Sequence, residues 1–414
     1  MFKSDFLKSI SVLAGGTIVA QIVTFLAMLY LTKVYLPDSF GLLSLGTSLI
    51  SICLPLATLR FDKAIVIAES DKEIYNLVVL SLLTNVIVSV AILILGVFLY
   101  FFNIIDQVHY PLVFIIPFSV FLYGLINVFQ MYFDKRSKFK ITSRAVIIDA
   151  FSKSGMQFVL FKTFPLLGML IGYVFALTIG VSYYFFNTVS FFKNCKKQAT
   201  KQSLILVAKK YDKFPKFYAL SNILKSASHN ICSFTFPVFF SLAVLGNFSI
   251  AFKIVKLPAQ LISMALRRVY CPKAAKLYLT DKRAMLKLYF KSTKVLLFIA
   301  IGPFIIFELF ADDLFILFFK ESWWSAAVYA KVILIYVFFN IVNALAHENM
   351  IILGLQKTFL IVEIVWLVLS LILIYIASIL ESSFLAVLFY ALVGVFMEII
   401  VFLIQYIKLR NELK

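Results

Sequence analysis

Three lysines interrupt apolar stretches that are long enough to cross a lipid bilayer. Lys225 lies in the stretch at 217–240, and Lys253 and Lys256 lie in the stretch at 246–266. A charged side chain at the centre of a membrane helix costs about 2.5–3.5 kcal/mol on insertion scales, so such a residue usually faces a polar cavity or a partner. Three cations at similar depth therefore predict a pathway for an anion.

A second group of charges lies in the apolar stretch at 141–161. Asp149 and Lys153 are four residues apart with the acid first, which is the favourable order for an ion pair on a helix. This pair could contact substrate, or it could only make two buried charges tolerable. Arg144 lies next to the basic segment at 134–140. It could line the cavity or extend its side chain to the membrane surface.

Further polar residues in apolar stretches extend the candidate site. Those that could line the cavity are Gln21, Ser48, Ser51, Asn222, His229, Asn340 and Asn343. The acids that could act in ion coupling or gating are Asp62, Asp149, Glu363 and Glu398. We interpret Glu363 and Glu398 as isolated acids within their helices, which could bind a coupling ion or hydrogen-bond a neighbour.

The composition determines the class of protein. Of 414 residues, 63% are hydrophobic and only 14% are charged. A soluble globular domain is roughly 45–50% apolar, so the chain is predicted to be an all-α polytopic membrane protein. Apolar stretches of about 20 residues match the thickness of the hydrocarbon core. Twelve spans are predicted, at 10–32, 40–59, 75–102, 111–133, 141–161, 166–190, 217–240, 246–266, 295–311, 326–350, 358–379 and 384–407.

The distribution of basic residues predicts the orientation of these spans. Most of the 39 lysines and arginines fall in the two termini and in alternate loops. Cytoplasmic loops carry the excess of Lys and Arg, so both termini are predicted to be cytoplasmic. The net charge of +19 is then explained by topology and by anionic lipid headgroups, and a nucleic-acid partner is not expected.

The chain divides into two halves that resemble each other. The longest basic loop, at 193–216, separates an N-terminal lobe of six helices at 1–192 from a C-terminal lobe of six helices at 217–414. An offset of 205 residues relates a polar face of the second helix to one of the eighth. The matched pairs are Ser44 with Ser249, Ser48 with Lys253, Ser51 with Lys256, Thr58 with Ser263, and Asp62 with Arg267. The same offset relates Gly41 to Gly246. Duplication predicts two lobes around a central cavity.

The sequence contains little that predicts an enzyme. The four cysteines form no close CxxC set, the three histidines have no HExxH spacing, and no Walker A loop is present. We therefore expect no enzyme activity, no cofactor and no metal. A membrane glycosyltransferase remains an alternative, although such enzymes usually need a large catalytic loop, and the loops here are short.

Two segments carry a resemblance to a known family. The run Leu59-Arg60-Phe61-Asp62-Lys63-Ala64-Ile65 resembles the LRYDxAI-like signature of Wzx-type O-antigen and polysaccharide flippases. The run at 246–253, which leads to Leu257-Pro258, is similar to the family's GxxSxAxR...P pattern with lysine in place of arginine. These flippases belong to the multidrug/oligosaccharidyl-lipid/polysaccharide exporter superfamily, whose members pack two six-helix lobes around a central cavity.

The resemblance implies a substrate, partners and a location. It implies transport of a polyprenyl-pyrophosphate-linked oligosaccharide, such as an O-antigen repeat unit, across the bacterial cytoplasmic membrane to its outer leaflet. Membrane lipids, a polysaccharide polymerase and assembly proteins are the implied partners. The alternative within the superfamily is a multidrug/cation antiporter, which we expect to carry carboxylates rather than lysines at its binding site. A non-transporting scaffold would not need lysines in the middle of the membrane.

Overall fold

The computed structural model describes residues 2–103, 110–188 and 200–412, which contain helices and no strand. The all-α prediction is confirmed. The helices of the first half are α1 (Phe2–Val34), α2 (Pro37–Ala57), α3 (Phe61–Ile67), α4 (Asp71–Phe101), α5 (Tyr110–Lys135), α6 (Phe139–Leu160), α7 (Gly168–Asn187) and α8 (Lys201–Lys210). Those of the second half are α9 (Leu220–His229), α10 (Ile231–Phe239), α11 (Leu242–Thr280), α12 (Lys282–Phe318), α13 (Trp324–Val342), α14 (Ala344–Ile352), α15 (Gln356–Ile379) and α16 (Ser383–Asn411). A π-helix at Phe214–Ala219 precedes α9, and a 3-10 helix at Glu321–Trp323 precedes α13.

Within the described residues, nine helices are long and apolar enough to cross a membrane. The other three predicted spans are also helical and correspond to α6, to α9 with α10, and to part of α11. These three carry the candidate cations Arg144, Lys153, Lys225, Lys253 and Lys256, which lower their mean hydropathy. The spans that carry the candidate chemistry are therefore the ones that composition alone identifies least well.

Two predicted spans are interrupted in the structure. The predicted helix at 217–240 breaks at Asn230, and the one at 326–350 breaks at Asn343. Both asparagines adopt a sparsely populated backbone conformation with ψ close to zero, at 15° and 5°. At Asn343 the side-chain amide donates to Glu398, a residue distant in sequence, and a search for apolar runs does not detect such a break.

The loop predicted between the eighth and ninth spans is largely helical. Helix α11 continues to Thr280, and α12 begins at Lys282. The single residue between them, Asp281, caps the second helix because its carboxylate accepts a hydrogen bond from the backbone N–H of Ala284 at 2.9 Å. The two helices therefore extend well beyond the apolar spans that were predicted for them.

The chain forms two compact units. The first comprises residues up to Tyr35 together with Leu45–Ser226, and the second comprises Leu36–Ser44 with residues from Ala227 onward. The start of α2 is thus grouped with the second unit. The lobe limits at 192 and 217 stay a prediction.

Part of the predicted linker at 193–216 is a docked helix. Residues 193–199 lie outside the described residues, and α8 begins after Thr200, which caps it. The Ser203 hydroxyl donates to the Asn76 side-chain oxygen at 2.8 Å, and the Lys210 ammonium lies 2.6 Å from the Glu73 carboxylate. The hydrogen bond to Glu73 raises the pKa of Lys210 above its ordinary value. The described part of the linker therefore packs against the start of α4.

The core of the first unit is centred on α3. Phe61, Ala64 and Ile65 of this short helix are buried together with aromatic and aliphatic side chains of α4, α5 and α7. Tyr184 of α7 stacks on Phe133 of α5 with ring centroids 5.8 Å apart. The apolar residues of the family-like segment therefore form the centre of a unit, and its polar residues are held at fixed positions around that centre.

Candidate cation and carboxylate sites

The family-like segment makes a sharp turn between α2 and α3. Leu59 and Arg60 both have positive φ angles, 46° and 58°. For residues with a side chain, this left-handed conformation costs roughly 1–2 kcal/mol each. Such strain persists only when surrounding contacts impose it, and it occurs most often at functional sites.

A buried hydrogen bond holds this turn. The Thr58 hydroxyl donates to Oδ1 of Asp62 at 2.7 Å, so the side chains on either side of Leu59 and Arg60 are tied together. Asp62 is fully buried in the first turn of α3, where a negative charge is favoured by the helix dipole. The contacts of Asp62 are therefore those of a residue that maintains the turn.

The turn directs Arg60 toward another helix of the first unit. The Arg60 guanidinium donates to the side-chain oxygen of Asn222 in α9 at 3.0 Å. Lys225 is three residues further along α9, where it is exposed. Arg60 was not among the predicted site residues, although the sequence signal for it was present in the family-like segment.

The other candidates of the first unit lie on α1, α2 and α6. The Lys153 ammonium lies 3.2 Å from the Asp149 carboxylate, so the predicted ion pair is present. Arg144 is exposed one helical turn from the start of α6. Ser51 donates to the backbone oxygen of Ser48 at 2.9 Å. The side-chain oxygen of Gln21 is buried without a hydrogen-bond partner among the described residues.

In the second unit, Lys253 and Lys256 lie on α11. At a rise of about 1.5 Å per residue, they stand roughly 17 and 21 Å from the start of the helix. Lys253 is exposed, and the Lys256 ammonium lies 4.6 Å from the ring centroid of Phe252. A cation over an aromatic face is stabilised electrostatically.

Phe252 belongs to a row of aromatic side chains in the second unit. The rings of Phe252 and Tyr336 are stacked, with their centroids 6.5 Å apart. The centroid of the Tyr336 ring lies 5.6 Å from that of Trp366 and 6.1 Å from that of Tyr390. Gly394 permits this arrangement because a Cβ at that position would overlap the Tyr336 ring. Lys256 therefore stands at the end of a rigid aromatic cluster.

Glu398 is the centre of a polar cluster and is not isolated. The Asn340 side chain donates to Oε1 at 2.6 Å, the Asn343 side chain donates to Oε2 at 2.8 Å, and His347 Nε2 lies 2.9 Å from Oε2. Glu398 therefore hydrogen-bonds neighbours, which is one of the two alternatives expected for it, and these partners come from α13, from the break at Asn343 and from α14. A search along α16 alone could not find them.

Glu363 also has a partner on another helix. Its Oε1 atom lies 3.5 Å from His229 Nε2, and its Oε2 atom is buried without a hydrogen-bond partner among the described residues. The His229 ring also contacts Trp366 at 5.5 Å. Both histidines within the described part of the chain therefore face a buried glutamate.

The candidates are divided between the units. The first unit contains Arg60, Asn222 and Lys225 together with the pair on α6, whereas the second contains Lys253, Lys256 and the two histidine–glutamate pairs. A single cavity that includes Lys225, Lys253 and Lys256 stays a prediction.

Comparison with known protein families gives a decisive match. A model described as "polysaccharide biosynthesis protein" matches residues 30–329, which is more than half of the chain. The chain belongs to this family. None of the curated proteins compared with the chain matches it.

Solved structures identify the fold. The chain is similar to the lipid II flippase MurJ in an inward closed conformation, with a TM-score of 0.74, 12% identity, and coverage of 94% of this chain and 86% of that one. It is also similar to an inward-facing MATE multidrug resistance transporter, with a TM-score of 0.64, 14% identity, and coverage of 95% of this chain and 98% of that one. Similarity to a Vibrio cholerae MATE transporter has a TM-score of 0.59 and 10% identity, and it covers 98% of this chain and 96% of that one. The chain therefore has the fold of these MurJ and MATE structures, and it is a multi-pass membrane protein.

Proposed function

We propose that this protein is a flippase that moves a polyprenyl-pyrophosphate-linked oligosaccharide from the cytoplasmic to the outer leaflet of the bacterial cytoplasmic membrane. Membership in a polysaccharide biosynthesis family and a transporter fold support this proposal. The observation that carries it is the position of Lys253 and Lys256, which lie within the part of α11 that a bilayer of about 30 Å would cover.

The substrate's pyrophosphate suits these lysines. A pyrophosphate is a compact anion that ammonium groups can bind, while the polyprenyl chain stays in the lipid. Lys225 and the Arg60 guanidinium, which the turn after α2 holds against Asn222, would supply further positive charge from the first unit. Arg144 and Lys153 are secondary candidates for the same role. Gln21, Ser48, Ser51 and Asn222 would offer hydrogen bonds to sugar hydroxyls.

The two histidine–glutamate pairs suit ion coupling. Chains of acidic and histidine side chains within the membrane commonly form proton or ion pathways in transporters. We assign this role to Glu398 with His347 and to Glu363 with His229. Asn340 and Asn343 would hold the Glu398 carboxylate in place during the exchange.

A substitution series at Lys253 tests the proposal. In vesicles that contain the purified protein and a polyprenyl-pyrophosphate oligosaccharide, we expect the flipped fraction to decrease in the order Lys253, Lys253→Arg, Lys253→Ala and Lys253→Glu. Arginine keeps the charge but has a different geometry. Glutamate places a negative charge against an anion in a poorly solvated site. If Lys253→Glu transports as well as the parent, the proposal fails.

A multidrug/cation antiporter is the second candidate. The buried carboxylates of Glu363 and Glu398 favour it, because a cation substrate needs negative charge at its site. In the same vesicles, an antiporter would accumulate an organic cation when a proton gradient is imposed. Cation accumulation that is abolished by Glu363→Gln, without any flipping of the oligosaccharide lipid, would favour this candidate over the flippase.

A further inference from the structure

Three lysines form a stripe at the start of α12. Lys287, Lys291 and Lys294 are separated by four and three residues, so they lie on one face of the helix. All three side chains are exposed. Together with Leu286 and Phe290 they line a surface cavity of 390 Å³. We call these three residues the lysine stripe.

The positive charge of the lysine stripe is not balanced by an ion pair within the described residues. The nearby acid Glu412 is already engaged, because its carboxylate lies 3.0 Å from Lys282 and 3.1 Å from Lys408. Tyr278 also donates to it, at 3.3 Å. The stripe is therefore a concentrated cationic surface that could receive an external anion.

The same helix face becomes apolar within one turn. Phe298, Ile301 and Ile305 follow Lys294 at spacings of four, three and four residues, and they are 77%, 37% and 49% exposed. Exposed apolar side chains on a membrane helix contact lipid tails. Lys294 and Phe298 are about 6 Å apart along the helix axis, so the end of the lysine stripe at Lys294 lies at the level of the headgroups.

We propose that the lysine stripe binds the headgroup of an anionic phospholipid in the leaflet at this end of α12. The phosphate occupies the cavity between Lys287, Lys291 and Lys294, and the acyl chains lie along Phe298 and Ile301. Basic clusters at a membrane surface attract anionic lipids. A stripe that leads directly into an apolar face complements both parts of such a lipid. The site is separate from the proposed transport site and does not depend on it.

The test compares two variants that lose the same charge. One carries Lys287→Gln, Lys291→Gln and Lys294→Gln. The control carries Lys72→Gln, Lys138→Gln and Lys357→Gln, three exposed lysines at the starts of three different helices. Each detergent-purified protein is titrated with phosphatidylglycerol and, separately, with phosphatidylcholine, and bound lipid is counted by native mass spectrometry. A third variant replaces the stripe with arginines and preserves its charge.

We expect the parent and the control to bind phosphatidylglycerol in preference to phosphatidylcholine. The stripe variant should bind phosphatidylglycerol roughly tenfold or more weakly, and the arginine variant should retain binding. Equal loss in the control would overturn the proposal, as would equal binding of the two lipids by the parent. If the stripe variant does not fold, the single variant Lys291→Gln replaces it. The proposal then requires that the parent prefers phosphatidylglycerol and that Lys291→Gln loses this preference. Bound phosphatidylglycerol is also challenged with glycerol phosphate or inorganic phosphate at equal concentration. If either one displaces the lipid, the stripe binds phosphate without recognising a lipid, and the proposal is refuted.

Discussion

At the scale of single residues, the buried charges are held by partners distant in sequence. Glu398 receives hydrogen bonds from residues 55 and 58 positions away and lies beside His347. Removing one member of a buried charged cluster leaves the others unsatisfied, and this costs about 3–5 kcal/mol. The contribution of each acid to stability can therefore be separated from its contribution to transport.

We predict that Glu398→Leu strongly destabilises the protein, because Asn340, Asn343 and His347 lose their common acceptor. Glu398→Gln should have a smaller effect, since the amide oxygen still accepts one hydrogen bond. Thermal unfolding in detergent measures both variants. Glu321→Gln, at an exposed acid, is the control and should leave the unfolding temperature unchanged. Unchanged stability in Glu398→Leu would show that the cluster contributes nothing to folding.

The ion pair on α6 can be tested by a double substitution. Asp149→Asn leaves the Lys153 ammonium without its partner, so it should reduce expression or transport more than Asp149→Asn combined with Lys153→Gln. The interaction energy of the pair is the difference between the double variant and the sum of the single ones. Equal loss in the single and double variants would indicate that each residue contacts substrate or ion separately.

At the scale of helices, the offset of 205 residues has a structural counterpart within the second unit. A Cβ on Gly41 would overlap the backbone oxygen of Leu242, and a Cβ on Gly246 would overlap the backbone oxygen of Pro37. Gly41 and Pro37 correspond to Gly246 and Leu242 in the repeat. The starts of α2 and α11 therefore cross in a reciprocal contact, which supports the internal duplication.

We predict that Gly41→Ala and Gly246→Ala each reduce the amount of folded protein. The atoms that meet the new methyl group belong to the backbone and cannot rotate away, and overpacking of this kind typically costs about 1–3 kcal/mol. Fluorescence-detected size-exclusion chromatography measures the folded fraction. Gly302→Ala is the matched control, because a Cβ there has open space around it. Similar losses in all three variants would argue against the close helix crossing.

The two repeats differ where the chain leaves the helix, and this difference shows what sequence could predict. Helix α2 ends at Ala57 and turns through Leu59 and Arg60, whereas α11 continues past the equivalent positions to Thr280. Apolar runs and the offset predicted both helices and their polar faces. They could not predict the turn through Leu59 and Arg60, because neither residue is glycine and long-range packing around α3 imposes the turn.

At the scale of the whole molecule, composition was sufficient to predict the all-helical, membrane-spanning class. The predicted spans at 217–240 and 326–350 differ from the structure, because the helices break at Asn230 and at Asn343. The partners of Glu363 and Glu398 were not predicted, because they lie on other helices and the sequence was searched for partners only along the helix of each acid. Pairing between side chains on different helices could be identified only from the packed structure.

The orientation of the molecule in the membrane can be tested by labelling single cysteines. We predict that both termini and the 193–216 linker are cytoplasmic, since basic residues concentrate there. In a variant with its four cysteines replaced by serine, Lys209→Cys should react only with a membrane-permeant thiol reagent. Asp313→Cys, at the opposite end of α12 from the lysine stripe, should also react with an impermeant reagent applied from outside. Both positions are exposed, so a failure to react cannot be attributed to burial. Labelling of Lys209→Cys from outside would reverse the topology. The basic loops would then lie outside the cell, and the proposed transport from the cytoplasm would begin at the face of the protein opposite to them.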